Sequence, residues 1–130
     1  MLAQVRWLID GMNLIGARPD GWWNDPDRAM RTLTRRLDDY AAQTGDEVTV
    51  VFDRKPATLE PHHRVEVVVA RWKGRNAADH EIEVMVEDDD DPGALRVVTS
   101  DRRLAEKIRA LGAKTVPSGS FRARLDRTLR

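Results

Sequence analysis

Short apolar runs punctuate a polar chain, and three of them close on an aspartate. Val5 to Ile9 reads as a buried strand that delivers Asp10 at its tip. Residues 10 to 24 read as a long, Gly-rich loop carrying Trp22 and Trp23. Asp25 suits a helix N-cap, with Pro26 at the first helical position and Asp27 in the first turn. Met30, Leu33, Leu37 and Tyr40 then recur at helical spacing, and Gly45 stops the helix. Glu47 to Asp53 and Val65 to Ala70 predict a second and a third strand, joined by a polar loop with two prolines. Arg71 to Asn76, "RWKGRN", reads as a basic loop.

The stretch "AADHEIEVMVEDDDD" fits either period. Ile82, Val84 and Val86 alternate as in a strand, whereas Ala78, Ile82, Met85 and Val86 share a helical face. Its length and glutamate content favour helix. After a turn at Asp91 to Gly93, "ALRVVTSD" predicts a fourth strand that ends in Asp101. Leu104, Ile108 and Leu111 mark the next helix, ended by Gly112. "KTVP" is a short fifth strand, and Phe121, Leu125 and Leu129 a final short helix. Strands alternating with helices predict an α/β fold whose sheet is largely parallel. The connection between strands two and three has no predicted helix, although parallel neighbours need a crossover of a dozen or more residues.

At 130 residues the chain is expected to form one domain spanning 1–130, with 41% hydrophobic and 34% charged residues marking a soluble globular protein. Absence of cysteine excludes disulfides and thiolate metal sites. With no run long enough to span a membrane and no signal-peptide pattern, a cytoplasmic location is expected. The net charge is zero, but its sign is segregated: Asp79 to Asp91 carries eight acids and no Lys or Arg, whereas Arg96 to Arg130 carries ten Lys/Arg and three acids. Such polarity suits an acidic centre beside a phosphate-binding rim, and equally a set of solvated helix faces.

In a parallel sheet the strand C-termini lie along one edge, where ligands of open α/β sheets bind. Asp10, Asp53 and Asp101 would meet there, and Asp79 at the start of the acidic helix could reach the same edge. Carboxylates brought together repel unless a cation sits among them, and hard ions such as Mg²⁺ or Mn²⁺ take oxygen ligands. Such a centre suits metal-assisted phosphodiester hydrolysis, with one or two ions held by Asp10, Asp53, Asp79 and Asp101. Asn13 would orient water, substrate or a neighbouring carboxylate, with Gly11 allowing a tight turn between it and Asp10. Asp101 has an alternative role as the cap of the following helix.

The segments "LIDGMNLIGA", "VVFDRKP", "NAADHEIE" and "VVTSDRRLAEKIRALGAKTVPSGSF" occur in that order over nearly the whole chain. Together they resemble the NYN domain family of PIN-like nucleases, specifically its YacP-like branch. The resemblance implies a three-layer α/β/α PIN-like, Rossmann-like fold around a mainly parallel sheet of about five strands. It also implies a metal-dependent ribonuclease centre. Carried over by motif, Asp10 and Asn13 come from the first segment, Asp53 from the second, Asp79 and less directly Glu83 from the third, and Ser100 with Asp101 from the fourth. His80 stands where the branch usually shows an acid, and Met12 where an aromatic is common.

The expectation is a metal-dependent endoribonuclease in which Asp10, Asn13, Asp79 and Asp101 form the catalytic group. Ser100 and Glu83 would position water or ligands. Arg71, Trp72, Lys73, Arg75, Arg102 and Arg103 would hold RNA, most simply a single strand, by phosphate contacts and stacking. A ribosome or another partner could present that RNA to a monomer or weak dimer. The rivals are a catalytically silent RNA-binding or partner-docking module and an aspartate-nucleophile phosphatase. The phosphatase generally needs an acid two residues after the nucleophile, where this chain has Met12. Trp22 and Trp23 either cover the core edge or stack on bases. Ser118 and Ser120 either cap a helix or bind a phosphate. His62 and His63 are expected at the surface, His80 in a structural setting, and Asp88 to Asp91 at a solvated helix end.

Overall fold

The computed structural model describes residues 4–58, 61 and 64–130. His62 and His63 lie outside the described residues. The strands are β1 (Arg6–Asp10), β2 (Glu47–Phe52), β3 (Val65–Val69), β4 (Leu95–Val98) and β5 (Lys114–Val116). The helices are α1 (Gly11–Gly16), α2 (Pro26–Thr44), α3 (Ala77–Glu87), α4 (Arg102–Ala110) and α5 (Ser118–Thr128). Short 3₁₀ turns occupy Trp22–Asn24 and Pro92–Ala94. The five strands form one sheet in the order β3-β2-β1-β4-β5, and every pairing is parallel. This is the α/β architecture expected from the sequence.

The two-residue period of the strands sorts the core into two layers. Trp7, Ile9, Val50, Phe52 and Val98 face α1, α2 and α5, whose Leu14, Leu37, Tyr40, Phe121 and Leu125 complete one apolar cluster. Leu8, Val51 and Val97 point the other way, onto Ile82 and Val86 of α3 and Leu104 and Ile108 of α4. Burial on both faces explains why the strands read as near-continuous apolar runs. Helix α2 begins as expected: the Asp25 carboxylate accepts the Arg28 amide at 3.1 Å, Pro26 opens the helix, and Gly45 ends it at φ 77°.

Several local expectations are corrected. The stretch after β1 is not all loop, because residues 11–16 turn at once into α1, which buries Leu14 and Ile15. Gly11 serves packing and not a special backbone angle. A Cβ there would lie 2.5 Å from Phe52 Cε1 and 2.9 Å from the Val51 carbonyl oxygen. The acidic run after α3 is not wholly solvated, since Asp89 pairs with Arg6 of β1 at 2.8 Å. The connection from β2 to β3 occupies residues 53–64 and is tied to α2. Asp27 accepts from Arg54 and from the Ala57 amide, and Asp38 accepts from the amides of Arg64 and Val65. Two carboxylates on one helix thus support a crossover that carries no helix among its described residues.

Gly11→Ala is expected to destabilise the protein by about 1–3 kcal/mol, because Phe52 and the β2 backbone must yield to the methyl group. Urea unfolding checks this, and an unchanged midpoint would show that α1 can move away freely.

Candidate active site

Strand β1 carries Asp10 to the C-terminal edge of the sheet, and there its side chain is 5% exposed. The Thr99 hydroxyl donates to Asp10 Oδ2 at 3.1 Å and accepts the Asp101 amide at 3.2 Å. Thr99 therefore joins the ends of two neighbouring strands through one oxygen. Asp101 has its alternative role as well: its Oδ1 accepts the Leu104 amide at 3.2 Å and caps α4. Asp53, just beyond β2, caps α3 from outside that helix by accepting the Ala78 amide at 3.1 Å. Each cap leaves the other carboxylate oxygen of its residue free of that bond.

Asp79, in the first turn of α3, is where these charges meet. Burial pushes its carboxyl up to about 6, helped by the negative charges of Asp101, Asp53 and Glu83 and opposed by Lys107. Burial, followed by the Asp79 charge, pushes Asp10 up to about 7, against the pull of the Thr99 hydroxyl. The four predicted aspartates thus form one electrostatically coupled group. Among the described residues, no three carboxylate or histidine side chains are arranged as a ready-made metal cage.

Asp79, Glu83 and Asp101 line a cleft of about 300 Å³, with Arg103, Lys107 and His80 on its walls. Lys107 pairs with Glu83 at 3.2 Å across the gap between α3 and α4. Lys107 was not among the residues expected at the site. Its signal was the four-residue spacing from Arg103, which places both cations on one side of α4.

Asn13 is held as a brace. Its Oδ1 accepts the Ser100 amide at 2.9 Å and the Ser118 hydroxyl at 2.6 Å. Ser100 Oγ in turn accepts the Ser118 amide at 2.9 Å. Ser118 is buried and neither caps α5 with its side chain nor lies open to a phosphate, while Ser120 is exposed. Ser118 thus takes neither expected role, and Thr99 was not foreseen, its one sequence signal being a hydroxyl close to the end of a strand.

Of the expected RNA-binding residues, Trp72, Lys73, Arg75, Arg102 and Arg103 are exposed. Trp72 packs against the edge of His80, with ring centres 4.0 Å apart, and so lies beside the acidic cleft. Arg71 is already engaged: its backbone amide and guanidinium donate to both oxygens of buried Glu81 at 3.0–3.2 Å. Burial works against the charged form of Glu81, yet the Arg71 bonds prevail and hold its pKa below the usual carboxylate range. Trp22 packs on the core, whereas Trp23 is 56% exposed.

The parallel sheet with acidic residues gathered on its C-terminal edge is a PIN-like nuclease fold. Residues 7–130 match the YacP-like NYN domain, and the chain belongs to that family. It is 34% identical over 87 residues to the uncharacterized protein YacP of Bacillus subtilis (strain 168), an alignment covering 62% of this chain and 50% of that one. Crystal structures of Rae1 (YacP) from Bacillus subtilis superpose over 98% of this chain. The wild type gives a TM-score of 0.80 at 27% identity over 76% of its chain. A tryptophan-to-leucine variant gives 0.78 at 30% identity over 78% of its chain.

The raised pKa values fix the sign of a pH effect. Between about pH 4 and about 7 the unfolded Asp10 is ionised while the folded one still holds its proton. Its contribution to stability is therefore present at low pH and lost as pH rises through that window. Asp10→Asn is expected to melt above the wild type at pH 8, with the gap closing near pH 4. Thermal melts at both pH values, without divalent cations, check this, and a gap independent of pH would remove the assignment.

Proposed function

We propose that this protein is a metal-dependent endoribonuclease acting at the cleft centred on Asp79. The observation that carries the reading is the cleft lined by Asp79, Glu83 and Asp101 at the sheet edge of a PIN-like fold, with Asp10 and Asp53 near enough for their charges to be felt there. Family membership supports it, since NYN domains are PIN-like nucleases. The donor set fits Mg²⁺ or Mn²⁺: every candidate ligand is a carboxylate oxygen, and the group carries more negative charge than it neutralises. Mg²⁺ commonly binds through one or two carboxylates, with water and substrate phosphate in its other positions, so a complete protein cage is not required. Asp79 and Asp101 would hold the ion, with Asp10 and Asp53 adding charge and ligand oxygens. When bound, it would activate water and offset charge developing at phosphorus.

The chain's own residues do the rest. Thr99 fixes the Asp10 carboxylate, and the Asn13–Ser100–Ser118 bonds hold α1 and the start of α5 against the turn after β4. Arg103 and Lys107 supply positive charge on the cleft wall, where a phosphodiester would lie. Trp72 is 38% exposed with the Arg71 guanidinium over its ring at 4.7 Å, and the rest of that ring, beside Lys73 and Arg75, would serve an unpaired base and its backbone. Arg71 instead anchors that loop to Glu81. The same surface would serve a silent RNA-binding module, so binding alone does not separate the two readings. A phosphatase nucleophile fits poorly, because the position two residues beyond Asp10, where that chemistry needs an acid, is Met12.

End-labelled, mixed-sequence single-stranded RNA incubated with the protein and Mn²⁺ is expected to be cut internally. EDTA should stop cleavage, and Asp79→Asn should reduce its rate about a hundred-fold or more in a protein that still melts cooperatively. Cleavage unaffected by both would exclude the proposed centre. RNA retained but never cut would favour the binding module.

A further inference from the structure

A second cavity, about 490 Å³, opens between α1, the 3₁₀ turn at Trp22–Asn24, α2 and α5. Ile15, Leu33 and Trp22 give it apolar surface, and three cations, Arg28, Arg36 and Arg122, line it together with two acids, Asp20 and Asp25. Its size lies in the range of small-molecule sites. The nuclease reading uses none of these groups.

Arg122 is poorly supplied with acceptors for a cation so far from water. Its side chain is 15% exposed, and its Nε is buried with no hydrogen-bond partner. Its Nη1 reaches the Leu14 carbonyl at 3.4 Å, and its Nη2 lies 3.8 Å from Asp20. Burial, followed by repulsion from Arg18 and Arg36, lowers its pKa below the ordinary value, against Asp126 and Asp20. The other nearby acids have closer partners. Asp126 accepts from both Arg18 and Arg36, and Asp25 Oδ1 caps α2. Guanidinium groups in this state favour oxyanions, which they hold through two parallel bonds.

We propose that this cavity is a nucleotide subsite, taking one ribonucleotide with its phosphate at Arg122, beside Arg36 whose Nη2 stays on Asp126 at 2.9 Å, and its base against Trp22. The choice of a nucleotide over other phosphorylated aromatic molecules rests on the ribonuclease reading. The anion site itself rests on the arginines. Asn24 and Thr32 at the rim offer polar groups to a base or ribose. Helix α1 is common to both sites: Asn13 braces the acidic edge while Ile15 lines this cavity. The occupant is either a free mononucleotide or a nucleotide of a bound RNA, and the chemistry of recognition is the same.

The test is calorimetric titration in EDTA, where cleavage is off, with adenosine, adenosine 5′-monophosphate and a 5′-phosphorylated hexa-adenylate. The monophosphate is expected to bind at least about tenfold more tightly than adenosine and to shift the Trp22 indole N–H resonance. Arg122→Lys should weaken binding about tenfold, and Asp79→Asn should leave it unchanged. Because Arg122 is buried, Arg28→Ala at the exposed rim provides a second variant, and the indole shift needs no variant at all. Equal affinity for monophosphate and hexamer identifies a free nucleotide as sufficient. Much tighter binding by the hexamer, in competition with the monophosphate, identifies RNA as the source. Equal binding of adenosine and its monophosphate, or no change at Trp22 with any of the three ligands, would overturn the subsite. Intact RNA cleavage alongside that result would leave the ribonuclease reading standing. Nucleotide binding by a protein that cleaves nothing would do the reverse.

Discussion

Four aspartates are held at the end of one parallel sheet against their own repulsion, and the surrounding polar structure keeps them there. Left to itself, such a group would spread into water. Here three of the four carboxylates have a tether to the backbone or to a side chain. Thr99 restrains Asp10, the Ala78 amide restrains Asp53, and the Leu104 amide restrains Asp101. Asp79 sits among them in the first turn of α3, where the positive end of the helix dipole favours an anion. The energy that holds these charges together comes from burial of the two apolar layers, with the strands acting as rigid arms.

Two of those tethers do double work. Asp53 and Asp101 satisfy helix N–H groups that would otherwise lack a partner, so removing either carboxylate would also loosen a helix end. The same economy appears in the loop before α3. Arg71 has the composition of an RNA contact, yet it forms a buried-edge ion pair with Glu81 and so fixes where Trp72 stands. Charge near the acidic cleft therefore divides into residues exposed to solvent and residues that hold others in place.

Much of the frame was legible along the chain. Apolar strand runs, the period of Met30, Leu33, Leu37 and Tyr40, and the stop at Gly45 are local signals, and local physics decides them. Asp10 and Asp101 could be placed because a strand direction fixes where its last residue goes. Helix α1 was hidden, since six residues that begin and end in glycine show less than two turns of periodicity. The supports of the β2–β3 crossover were hidden for another reason: Asp27 and Asp38 act on backbone 26 to 30 residues away. Thr99 and Ser118 fall in the same class. A hydroxyl has no preferred partner until the fold brings one near.

The brace between Asn13 and Ser118 joins positions 105 residues apart in sequence. Contacts of such separation form late, because a long stretch of chain must be ordered before they repay its entropy. While the chain is being synthesised, β1 and α1 emerge long before the serine that locks them to α5. During that interval Asp10 exists without the geometry that surrounds it in the finished molecule. Assembly order thus separates in time the synthesis of Asp10 from the completion of its surroundings.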